Sequence, residues 1–183
     1  MLLIKLKPNT LWDEEENRFY EIPGIILKLE HSLLSLSKWE SKWKKPWYSK
    51  NEKTGEQWMD YIYFMIVDPD PDTIPSFIVR GFSRDDMTRV KDYIMDPMTA
   101  TTVRSRSTAG GSSETLTSEL IYYYMFSLRI SKECENWHLN RLLMLLQVFG
   151  AKDGKQKKMS NSELMKHHAS LNEANRKRFH TKG

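Results

Sequence analysis

By residue type, Cys134, Glu135 and His138 are the side chains best suited to chemistry. Read on a helix, Cys134 and His138 stand one turn apart, and a thiolate and an imidazole so spaced can share a metal ion. The ligand count falls short of a site. Structural zinc takes four ligands and catalytic zinc three, while the other histidines, His31, His167, His168 and His180, form no matching spacing. A nucleophilic cysteine needs a base and an activating environment. Cys134 instead falls on an apolar stripe with Trp137, Leu142 and Leu145, so the pair reads as a core cysteine and a hydrogen-bonded histidine. The run DPDPD, Asp68 to Asp72, imitates the opening of a calcium loop, but Thr73 and Val79 stand where that loop needs glycine and glutamate. TAGGSS lacks the lysine of a phosphate-binding loop, and neither a nucleophile elbow nor an HExxH motif occurs. No catalytic residue, metal or cofactor is expected.

Binding is the alternative chemistry. In SKWESKWKKPW, Trp39, Trp43 and Trp47 alternate with lysines, a pattern that can stack nucleic-acid bases. On a helix over 33–44, however, Leu33, Leu36, Trp39 and Trp43 share one side and the lysines another. A base platform needs exposed aromatics beside the cations, so the stripe predicts core packing for Trp39 and Trp43, and Trp137 is placed with them. Trp47 lies beyond Pro46 and need not share that face; it either caps the helix end or marks an exposed contact. It is retained as a candidate partner contact.

The elements that must position these residues change near residue 31. LLIKLK (2–7) and IILKLE (25–30) alternate with period two, RFYEI (18–22) is a third strand, and Pro23-Gly24 is a turn. Helical periodicity follows: 33–44, 55–67 behind the capping box Thr54/Gln57, a segment from the cap Ser83 to before Pro97, 115–128, and 132–149 from Ser131 to Gly150. DPDPDTIP interrupts regular structure, and 103–114 is a Gly/Ser-rich loop. The expected class is α+β: a small N-terminal antiparallel sheet, a mainly α-helical body and a basic helical tail. The expected division is a single domain over 1–151 and a linker with a helix over 152–183.

That tail carries the positive charge. Of 28 Lys/Arg and 24 Asp/Glu, residues 152–183 hold nine and three, so the tail is +6 and residues 1–151 sum to −2. Ser160/Glu163 form another capping box, with Met159 and Leu164 at the staple positions. So polar a helix is solvated or completed by a partner. Lys157, Lys158, Arg176, Lys177 and Arg178 are therefore candidate partner-binding residues, and the tail is expected to be dispensable for folding. Mean hydropathy is −0.61, and the apolar runs IYYYMF and LLMLLQVF fall far short of the ~20 residues of a membrane span. The start lacks the apolar region of a signal peptide. One cysteine permits no internal disulfide, which fits a reducing compartment.

HSLLSLSKWESKWKKPW, DPMTATT, ELIYYYMFSLRISKECENWHLNRLLMLLQV and KKMSNSELM together resemble a group of tailed-bacteriophage proteins described as tail assembly chaperones, over most of residues 31–178. The resemblance implies a non-enzymatic protein of the host-cell cytoplasm. Its partners would be the tape-measure protein and the tail-tube protein, with a second copy of the chain as a further possibility. In many such phages a programmed frameshift adds a longer C-terminal form. Two other readings compete: a structural tail or neck subunit of the virion, and a nucleic-acid-binding protein using the basic tail. Membrane and nucleic acid are not expected partners.

Overall fold

The alternation at the N-terminus becomes paired strands in a computed structural model of the protein, which describes residues 1–14, 17–102 and 115–153. Strand β1 (Leu2–Leu6) lies antiparallel to β4 (Ile25–Leu29), in register Leu2↔Leu29, Ile4↔Leu27 and Leu6↔Ile25. Ile4, Leu6, Leu27 and Leu29 are buried, while Leu3, Lys5, Ile26 and Lys28 face outward. A short strand β5 (Ile66–Asp68) adds to β4, giving the order β1-β4-β5. Strands β2 (Asn9–Asp13) and β3 (Arg18–Ile22) form a separate two-stranded ribbon. Its inner face buries Tyr20 and Ile22, and Asp13 pairs with Arg80. The N-terminal part is thus two small sheets. The class is α+β.

Helix α1 (Leu33–Trp43) opens at Ser32, whose hydroxyl accepts from Ser35 N while the Ser35 hydroxyl accepts from Ser32 N. It closes at Lys44 in the left-handed conformation, φ 53°. Helix α2 (Gly55–Phe64) uses the Thr54/Gln57 capping box. It stops short of residue 67, because Ile66–Asp68 is drawn into the sheet opposite Lys28 and Leu29, and the Met65 carbonyl accepts from Glu30 N at 2.8 Å. Two 3-10 turns (Pro71–Thr73 and Ser76–Gly81) lead to α3 (Arg84–Met95), boxed by Ser83 and Asp86. Arg89 on α3 donates to the Leu3 carbonyl of the edge strand β1 at 2.8 Å.

Helix α4 (Ser118–Ser127) follows Thr117 as its cap and ends before Arg129, φ 55°. The expected helix over 132–149 is two elements, a 3-10 turn (Lys132–Asn136) and α5 (Leu139–Asp153). The break has a cause: His138 forms an isolated antiparallel bridge with Ser32, and Leu139 N, an orphan donor in the first turn of α5, bonds to the His31 carbonyl at 2.6 Å. Gly150 does not end the helix, which continues to Asp153. The chain divides into two compact units, Met1–Gln147 and Val148–Gly183. The loop expected over 103–114 and the helix expected after Met159 lie outside the described residues.

Candidate interaction surface and a buried histidine centre

The three tryptophans separate by environment. Trp39 is 1% exposed and its Nε1 donates to the Gln57 carbonyl at 2.8 Å, joining α1 to α2. Trp43, expected in the same core, is only half-buried, with Nε1 on Asp60 Oδ2 at 2.9 Å. Trp137 is also half-buried, under the Arg141 guanidinium. Trp47, the candidate contact, is 6% exposed. It stacks on Tyr61 at 3.8 Å and meets Trp39 and Trp58 edge-on at 4.9 and 5.2 Å. The expectation of an exposed Trp47 is therefore corrected. The chain turns back at Lys44, and the buried Glu40 carboxylate holds the returning segment: Oε1 accepts from Trp47 N and Oε2 from Ser118 N, both at 2.7 Å.

A second buried cluster was half visible in the sequence. His138 does not share a helical face with Cys134, because the chain between them passes from a 3-10 turn into an extended step. Cys134 is buried and free. The partner of His138 is His31, with ring centroids 5.1 Å apart and edge to face. His31 Nδ1 lies 2.5 Å from the buried Tyr61 hydroxyl. His138 Nε2 donates to the Tyr93 carbonyl at 3.0 Å, which also accepts from Asp96 N, and Asn140 Nδ2 donates to the Ile94 carbonyl at 2.9 Å, so the end of α3 is tied to the start of α5. Burial, and secondarily His138, lowers His31 from its ordinary 6.5 to about 3. Burial also lowers His138, against the opposing pull of the Tyr93 carbonyl. Both imidazoles are neutral at pH 7.

Around His138 a cleft of about 330 Å³ is lined by Glu30, Tyr93, Trp137 and Arg141. Tyr93 donates to Glu30 Oε1 at 2.8 Å, which ties the sheet to α3. These bonds hold secondary elements together, and among the described residues no three His, Cys, Asp or Glu side chains are grouped so as to hold a metal ion. Nor is any helix among them long and apolar enough to cross a membrane.

The surface residues missed in the sequence are on α4. Ile121 and Met125, four apart, are its buried stripe. Tyr123, Tyr124 and Phe126 are 63%, 43% and 61% exposed. The signal was available: IYYYMF puts four aromatics in six residues, and a helix that buries one stripe must leave some of them outside. Trp12 and Phe19 make a second exposed aromatic pair, 4.7 Å apart across the β2–β3 ribbon. The basic candidates Lys157, Lys158, Arg176, Lys177 and Arg178 lie outside the described residues. No family model, curated protein or solved structure matches the chain.

Proposed function

We propose that the chain is a non-enzymatic tail assembly chaperone of a tailed bacteriophage, which binds the tape-measure protein and helps recruit tail-tube subunits in the host-cell cytoplasm. The observation that carries the reading is the aromatic face of α4. Tyr123, Tyr124 and Phe126 project from a helix whose other side is already packed. Exposed tyrosine and phenylalanine with few rotatable bonds are the side chains that anchor protein interfaces. The face also lies within residues 119–148, the longest stretch on which the resemblance rests. Co-expression with the neighbouring tape-measure protein, followed by affinity capture of either chain, tests the reading. The complex should form, and mass spectrometry of purified particles should not find the chain. Its presence as a stoichiometric particle component would favour a structural tail or neck subunit instead.

A further inference from the structure

We infer that the groove between α2 and α3 is a docking site for an acidic amphipathic helix of a protein partner, with an apolar anchor between two carboxylates seven residues apart. The groove has a volume of about 280 Å³, just under the ~300–1,000 Å³ of small-molecule sites. That size suits one or two side chains of a larger partner. Its floor is the buried Ile62 and Val90, and its walls are the half-buried Trp58 and Met87. Trp58 is backed edge-on by Trp47 at 5.2 Å, so this wall is preset. The rim carries Arg84 and Lys91, both exposed. No carboxylate lines the groove. Asp85 and Asp92 follow Arg84 and Lys91 by one residue, about 100° further round α3. Neither cation is ion-paired among the described residues.

The spacing selects a helix. Arg84 and Lys91 are seven residues apart, about 10.5 Å along the α3 axis, with Met87 and Thr88 between them. A helix laid alongside repeats that rise, so carboxylates at i and i+7 meet the two cations while an apolar side chain at i+3 or i+4 enters the groove. The assignment stands whether or not the partner is a phage protein.

The probe is a synthetic helical peptide of about 18 residues with two glutamates seven apart and leucines midway between them; a control replaces both glutamates with lysines. Binding to the full chain is read by fluorescence anisotropy at low and high salt. The glutamate peptide should bind, more weakly as salt rises, and the lysine peptide should not. R84E/K91E should weaken the glutamate peptide at least about tenfold and admit the lysine peptide. Both positions are exposed, and a glutamate at 84 suits the first turn of α3. K91E alone should shift the preference in the same direction, so the test survives poor folding of the double variant. Thr88→Trp should block both peptides. Equal binding of the two peptides, no binding, or an unchanged preference in the charge-reversed chains would overturn the assignment. So would a dimer of the wild type that R84E/K91E dissolves, since the occupant would then be a second copy, or displacement of the peptide by dodecanoate at equal concentration.

Discussion

Trp47 and Trp43 sit four residues apart, and the structure gives them different energetic roles. Trp47 fills a pocket between Trp39, Trp58 and Tyr61, so Trp47→Ala should cost about 3–5 kcal/mol in chemical denaturation. Trp43→Ala, from a half-buried site, should cost distinctly less; equal losses would contradict the division. His31 makes the second residue-scale prediction. Its folded-state value of about 3 lies below the ordinary 6.5 of an unfolded chain. The stability it contributes is fully present above pH 6.5 and is lost as pH falls toward 3, because the unfolded chain binds the proton first. The cluster around it offers Tyr61, His138, Tyr93 and Glu30, and Asp96 also acts on His138. Between pH 7 and pH 5 this term removes about 2 kcal/mol. Urea midpoints at the two pH values measure it, and an equally steep dependence in His31→Asn would tell against His31 as the source.

At the scale of elements, one carboxylate and one glycine decide how segments meet. Glu40 bonds the amides of Trp47 and Ser118, which joins α1 to the segment after it and to the start of α4. Glu40→Gln turns one acceptor into a donor facing an N–H and should cost about 2 kcal/mol, with both attachments loosened in hydrogen exchange. Gly81 closes the 3-10 turn against β3, and a Cβ there would lie 2.6 Å from the Ile22 side chain. Ile22 is β-branched and buried, so Gly81→Ala should cost about 1–3 kcal/mol through overpacking, read from the thermal midpoint. Elements set by local chemistry were legible in the sequence: the Thr54 and Ser83 caps bond only to residues three positions on, and β1, β3 and β4 show their own alternation. Elements set by distant partners were not. β5 exists because Lys28 and Leu29 pair with Asp68 and Ile66, and the split of the 132–149 helix depends on the bridge from Ser32 to His138. β2 offers a single inward apolar residue, Leu11, and turns the charged Asp13 toward Arg80, so its alternation is masked. The role of Glu40 had no local signal, because both of its partners come from later in the chain.

At the scale of the whole molecule, the folded unit Met1–Gln147 exposes the aromatic face of α4, and the proposed function requires that face to bind protein. That exposed face was the least legible surface feature, since composition marks IYYYMF as apolar but only packing decides which aromatics stay outside. The basic groove between α2 and α3 is a separate surface with its own chemistry, so the two are tested independently. The direct measurement is a tape-measure capture assay comparing wild type with Tyr123→Ser/Phe126→Ser, both positions being exposed. The account expects an unchanged melting temperature and a loss of at least about tenfold in captured tape-measure protein; capture at the wild-type level by a correctly folded double variant would contradict it.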